Sequence, residues 1–594
     1  MTDEHNNDEG MAHHGIHYLR EKIRKMQSGQ LIRGAFPRKA QNTELVEQAP
    51  STMATSMVNL LVYPQDPLLG EPETRPLAAE DVQAELTNAR VKVIDKEYPI
   101  AQQDDKGSYF YWADTPQFDQ VNAFYYVTFT LRMFERYAQR ALAWSFLEPR
   151  ILVNVHVGDN ANAFYNEQEK MLGFHSYMVD GKPKGSTAHS ADIVSHETGH
   201  AVLDGMRDLW NESFGLGCRA LHESFGDMAA VLVALHDDSL VQRMLKWTNN
   251  DLRVSNIISE VAEHLAASDD QLRDATIETI YLRNAINPFV DVPFDLLPHD
   301  VPDPEMMLSR QEHNYGRVFT GAFWDILAAI YEDFAKTEAP FIAVTYARRV
   351  MGEMLALAVE LSPVGEAHFA DMARAFITAE SIVHEGKYEA ILRNVFAKRQ
   401  ILPISDSDAM LQFLTDLPDI RLPEDVTSTL TALTFYEQQI VPKMNWEAQD
   451  VVPLAIYRNS VNYTFMTFFE TRALKLQGEE FKDLSGVLFD VYGGVTLMFD
   501  AELRLRSAVL RSVSEEDLRQ VKLCIVDMHQ SGRISQQIHE IGSIPLPTPK
   551  ALLFRENGDR RLIKYPTLVD RVPVPRLTFR DYLLKWRNTG IRNE

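Results

Sequence analysis

The period of apolar positions changes several times along the chain, and each change predicts a different element. Residues 1–50 show no sustained period; with basic patches at Arg20–Lys25 and Arg33–Lys39 they read as a polar N-terminal arm. Apolar runs at 58–63 and 91–94, broken by Pro- and Asp-rich turns, predict a β-rich lead-in over 51–115. From Val121 to Leu147, apolar residues recur at helical spacing (Phe124, Val127, Leu131, Phe134, Ala138), which predicts a helix. A compact strand at 151–155 follows, then helices at 190–207, 220–236, 318–336, 340–360 and 365–382. Leu402-Pro403-Ile404-Ser405-Asp406 reads as a linker. Beyond it, 415–475 reads as mostly helical, 483–512 as a hairpin around Gly493-Gly494, and Val521–Met528 as a strand or buried helix segment.

Composition narrows the class. With 45% apolar and 24% charged residues, the chain is ordinary globular protein and can bury a large core without disulfides. Its 59 Lys and Arg stand against 84 Asp and Glu, a net −25, which disfavours nucleic acid and anionic membrane as partners. The two cysteines, Cys218 and Cys524, cannot build a disulfide framework or a Cys-rich zinc site. Any metal centre must therefore use histidine and carboxylate. The first residues show no apolar signal segment, and no apolar run approaches a membrane span of about 20 residues. A cytoplasmic location is expected, with non-classical export left open.

The sharpest chemical signal is Ser195-His196-Glu197-Thr198-Gly199-His200, an HExxH motif on a predicted helix. Residues i and i+4 share one helical face, so His196 and His200 can reach one zinc ion, with Glu197 beside them as a base. A catalytic zinc needs a third protein ligand, and the next apolar-periodic helix carries Glu223 and, one turn later, Asp227. Glu223 is the candidate third ligand. Asp227 is the candidate acceptor for the far N–H of a ligating histidine. His222 points about 100° from Glu223 around the helix, toward the ligand surroundings or solvent. His175 and Cys218 read as structural, and His13-His14 as part of the arm.

These segments resemble the thermolysin-like zinc metallopeptidases, gluzincins with a Glu third ligand. His196-Glu197-Thr198-Gly199-His200-Ala201-Val202 is similar to that family's HELTHAV, Asp192 also matches, and the Glu223 segment resembles its NEAxSD run. Val155-His156-Val157 with Asn162-Ala163-Phe164-Tyr165 resembles its strand and NAFW edge, which binds substrate backbone; Asn162, Ala163 and Tyr165 inherit that role. Leu282-Arg283-Asn284 with Asn287-Pro288 resembles LRSMSDP, making Arg283 the partner of a substrate carbonyl. His313-Asn314-Tyr315-Gly316 resembles HxNSG, whose histidine stabilises the oxyanion. Ile193 and Leu282 match apolar pocket positions, which implies a hydrophobic residue after the scissile bond.

The resemblance spans about 110–402 and implies an α+β, two-lobed core. Its β-rich N-terminal lobe (116–235, after the lead-in) and helical C-terminal lobe (236–402) flank the active-site helix; an extra α+β domain, 403–594, follows. The implied activity is a zinc-dependent endopeptidase using a zinc-activated water, with Glu197 and His313 catalytic and His196, His200 and Glu223 holding Zn²⁺. Its partner is a peptide or protein substrate. The region 403–594, with its basic tail Arg555–Arg592, is the candidate surface for a further protein partner.

Departures from the family keep other readings in play. The stretch from His200 to Glu223 is longer than in thermolysin, and Trp210 and Phe214 stand near where an oxyanion-assisting Tyr is expected. Leu308 stands where an Asp should orient His313, for which Glu312 or Asp303 are the substitutes at hand. Ala234 replaces a calcium-binding Glu, so thermolysin-type structural calcium is not expected. A protease-fold scaffold with little turnover is one alternative. An aminopeptidase is the other, against which stands the missing GxMEN motif.

Overall fold

The computed structural model describes residues 56–158, 162–179, 182–261, 283–302, 306–403, 417–424, 426, 428–446, 451–531, 533–539, 551–556 and 559–564. The expected arm over 1–50, Leu282, Asp303 and most of the basic tail lie outside these residues. No described helix is long and apolar enough to cross a membrane.

Strands β1 (Met57–Val62) and β2 (Glu73–Ala78) form an antiparallel pair. Next comes a four-stranded sheet ordered β3-β4-β6-β5, from β3 (Val91–Ile94), β4 (Ile151–Asn154), β5 (Ala163–Asn166) and β6 (Met171–Phe174). β3, β4 and β6 run parallel and β5 is antiparallel at the edge. β3 belongs to the expected lead-in, so a boundary at 115/116 cuts through one sheet. Strands this short cannot bury an apolar face alone. Leu60, Val62, Val91 and Val93 share one core with helix α1 (Pro116–Tyr137).

α1 begins with Pro at its first position, where no amide donor is needed. It ends ten residues earlier than its apolar period predicts, and Gln139 has a left-handed φ of 55° just beyond. Leu142, Trp144 and Phe146 prolong the period because they are buried in irregular chain. The hairpin β7 (Ser176–Val179) and β8 (Lys182–Ser186) leads into α2 (Ala191–Met206), α3 (Leu216–Ala234) and α4 (Asp238–Trp247). A short ladder, β9 (Glu260–Val261) with β10 (Arg283–Asn284), precedes α5 (Glu312–Phe334), α6 (Pro340–Leu361), α7 (Phe369–His384) and α8 (Glu389–Lys398).

The C-terminal region departs from its sequence expectation. The stretch 415–475 is not mostly helical: among the described residues helix is confined to 429–443, and β11 (Val451–Arg458) and β12 (Thr464–Lys475) follow. They join β13 (Leu488–Phe499), β14 (Leu505–Arg511), β15 (Ile534–His539), β16 (Ala551–Glu556) and β17 (Asp559–Lys564) in one seven-stranded sheet. Val521–Met528 lies within helix α9 (Glu515–Gln530). β12 hides its period because both faces are buried. Phe465 and Phe469 join the main core while Met466 and Phe468 enter a second one, so no polar alternation survives.

Gly493-Gly494 is not a hairpin turn but lies inside β13. Gly494 has φ 151°, and a Cβ there would sit 2.1 Å from the Phe468 carbonyl oxygen, so only glycine permits that strand pairing. The turn comes later, where the Asp500 carboxylate accepts the Glu502 and Arg504 amides and Leu503 has φ 60°.

The sheet is docked closely on the helical core. The Glu366 amide donates to the Tyr492 carbonyl (2.8 Å), and a Cβ on Gly365 would stand 2.0 Å from that oxygen. Gly365→Val is therefore expected to destabilise the protein by about 1–3 kcal/mol, the usual overpacking range, read from denaturant midpoints.

Candidate active site

Two glycines bring the chemistry-bearing helices together. A Cβ on Gly199 of α2 would lie 3.1 Å from the Gly226 Cα of α3 and 3.0 Å from the Ala229 Cβ. A Cβ on Gly226 would stand 2.7 Å from the His196 imidazole. The close helix contact and the ring's position both depend on these missing side chains. The Ser190 hydroxyl caps α2 by accepting the Ile193 amide.

On α2, His196, Glu197 and His200 form a group whose ligand atoms lie within 4.8 Å of one another. Glu223 of α3 faces it. Its Oε2 lies 3.4 Å from His196 Nε2, 3.8 Å from His200 Nε2 and 3.3 Å from His313 Nε2. That oxygen is buried and, among the described residues, no donor meets it with hydrogen-bond geometry. Ligands at about 2.0–2.1 Å from a zinc ion stand about 3.3–3.4 Å apart along a tetrahedral edge. The Glu223–histidine spacings are close to that edge, and the donor set of two imidazoles and a carboxylate suits zinc.

The surrounding hydrogen bonds orient both imidazoles. His196 Nδ1 lies 3.0 Å from Asp227 Oδ1, so Nδ1 carries the proton and Nε2 faces Glu223. Arg283 Nε donates to the same Asp227 oxygen (3.0 Å), and the Thr320 hydroxyl donates to the other (3.4 Å). His222, on α3, stacks on His200 with Nδ1 2.8 Å from His200 Nδ1. It thus sits behind the His200 ring.

Burial opposes a charge on His196, yet the Asp227 and Glu223 carboxylates beside it raise its pKa to about 9. Burial keeps His200 neutral, well below the usual histidine range, despite the attraction of Glu223. Glu223 itself resists burial: His313, His200 and His196 hold it ionised well below the ordinary carboxylate value. Burial raises the Glu197 pKa, against the pull of His196 and Arg283 and a hydrogen bond from the Tyr165 backbone. A proton on His196 and a divalent cation therefore compete for one carboxylate-lined space.

The remaining sequence candidates divide. β5 lies at the sheet edge, with Ala163 half-buried in it and Asn162 exposed just before it. The Asn162 carbonyl accepts from His175 Nδ1 (2.9 Å) and the Thr187 hydroxyl (3.1 Å), so His175 is structural. The Tyr165 hydroxyl is turned inward, donating to Asp204 (2.8 Å), so only its backbone remains for the site. Ile193 is buried on α2, one turn before Glu197. Trp210 donates to the Pro363 carbonyl and Phe214 packs against Phe489, so both side chains are committed elsewhere. Cys218 is buried, and its Sγ accepts the Ala367 amide (3.1 Å).

His313 is oriented by a residue that sequence reasoning passed over. Gln311 precedes α5 and its Oε1 accepts the Asn314 amide (2.7 Å), which fixes the amide's orientation. Its Nε2 therefore points at His313 Nδ1, 2.6 Å away. Nδ1 accepts, and the proton of neutral His313 sits on Nε2, facing Glu223. Glu312 does not substitute for the missing Asp: it is turned to Arg219 (2.7 Å). Gln is an uncommon helix cap, so the pattern gave no signal for Gln311.

No curated protein matches the chain. The matched segment of a family model ends just after the HExxH motif, within α2, so Glu223, Arg283 and His313 lie beyond it and are brought near the motif by the fold. Residues 73–204 match the family model of the thermolysin metallopeptidase catalytic domain, and over that segment the chain is similar to the thermolysin-like metallopeptidases.

Proposed function

We propose that the protein is a zinc-dependent endopeptidase that cleaves peptide bonds with a hydrophobic residue after the scissile bond. The observation that carries this reading is the Glu223 oxygen, buried, facing three imidazole nitrogens and without a hydrogen bond among the described residues. A buried carboxylate of this kind calls for a cation.

Zinc held by His196, His200 and Glu223 supplies Lewis acidity that acidifies water and polarises a carbonyl. Glu197 takes the proton of the attacking water, and its raised pKa suits it to pass that proton to the leaving amine. His313 donates Nε2–H to the oxyanion as it develops, with Gln311 holding the tautomer. Arg283 is braced on Asp227 and turns its remaining N–H groups to a substrate carbonyl. The edge at Asn162 and Ala163 pairs with substrate backbone, and Ile193 lines the apolar pocket.

The deciding experiment is a zinc assay with peptide-library cleavage by wild type and Glu197→Gln. Wild type that binds zinc but cleaves nothing at any pH sinks the enzyme reading in favour of a scaffold; cleavage confined to N-terminal residues favours an aminopeptidase. Glu197→Gln should retain zinc while cleavage falls about 10²- to 10⁴-fold. Asp227→Asn should weaken zinc affinity about 10- to 100-fold in a chelator competition, because it removes the charge that orients the His196 ring and raises its basicity. His313→Ala should lower kcat about 10²- to 10³-fold, and Gln311→Leu by less, with KM unchanged in both.

A further inference from the structure

The C-terminal region reaches the candidate site itself. A cavity of about 350 Å³ lies beside His313, with Gln311 and Glu312 on one wall and Asp527, Ser531 and Arg533 of the C-terminal region on the other. His313 is the second residue of α5, and its side chain is 43% exposed. Little packing fixes it directly, so its position depends on where the first turn of α5 is held.

The residues flanking His313 are tied to the C-terminal region. Glu312 is buried between two guanidinium groups. Arg219 of α3, one turn before Glu223, donates to it at 2.7 Å. Arg533, between α9 and β15, reaches both of its oxygens at 3.2 and 3.4 Å. Glu312 thus links the helix of Glu223 to the helix of His313, and Arg533 closes the link from outside. Arg310 donates to Asp527 of α9 (3.2 Å) and lies over the Phe294 ring. Charge-assisted bonds to a largely buried carboxylate are strong and directional, so they set geometry as well as contributing stability.

We propose that the C-terminal region is a working part of the catalytic module: α9 and Arg533 wall the cleft beside His313 and position that histidine through Glu312 and Arg310. Arg533 is a positioning residue, since it contacts Glu312 and not the reacting atoms. The inference rests on the peptidase reading for its effect on rate, but not for its effect on His313. Loss of Arg533 leaves Glu312 paired with Arg219, so the fold should survive.

The test uses the full-length, zinc-loaded protein with Arg533→Met and Arg533→Lys. It measures zinc content, steady-state peptide cleavage and the ¹⁵N NMR signals of His313, assigned by their loss in His313→Gln. Arg533→Met is expected to lower kcat about 10- to 100-fold, with KM within about twofold, because a misplaced donor weakens only the transition state. Zinc content should be unchanged and the His313 signals should move, while Arg533→Lys recovers most of the rate. Wild-type kcat with unmoved His313 signals in Arg533→Met overturns the proposal. If wild type cleaves nothing, the peptidase reading fails, and the His313 signals alone then decide the coupling. Should Arg533→Met lose its fold, Asp527→Asn is read in the same way, with the same two outcomes.

Discussion

The site depends on one costly arrangement: a largely buried carboxylate, Glu223, faces imidazole nitrogens instead of hydrogen-bond donors in water. Removing such a charge from solvent is unfavourable unless opposite charge or a metal compensates it. Several features of the surrounding fold supply that compensation. Gly199 and Gly226 let α2 and α3 approach until the ligand atoms meet. Asp227 and His222 take the outward nitrogens of His196 and His200, so the inward ones face Glu223.

The same low-dielectric surroundings separate the roles of otherwise similar groups. Glu223 and Asp227 are held ionised by neighbouring cations and hydrogen bonds, whereas burial raises Glu197. A carboxylate that ligates must stay charged, and one that shuttles a proton must accept it readily. His313 shows a different economy. Its partner is a neutral amide that also caps α5, so one side chain sets both the helix start and the imidazole tautomer.

The seven-stranded sheet explains how a region beyond the matched segment can matter to this chemistry. Phe465, Phe469 and Tyr492 share the core that contains α2 and α3, so the C-terminal strands are packed into the main body. Once that sheet is docked, α9 and Arg533 fall beside the first turn of α5.

The HExxH spacing alone put two histidines on one helical face with a base beside them, because the period of an α-helix is local geometry. The helix carrying Glu223 and most of the helical core were legible for the same reason, as apolar residues recur with the helical period, whereas α5 starts at Glu312, ahead of the expected 318, and so takes in His313. Only the tertiary structure decided which carboxylate met the histidines at 3.4 and 3.8 Å, and that Gln311 rather than Glu312 orients His313. Those are contacts between distant segments or choices among adjacent polar residues, and one-dimensional periodicity carries no information about them. It likewise could not reveal β12 or the mid-strand role of Gly494. A strand buried on both faces loses its alternation, and the need for glycine there arises from the Phe468 carbonyl of the neighbouring strand.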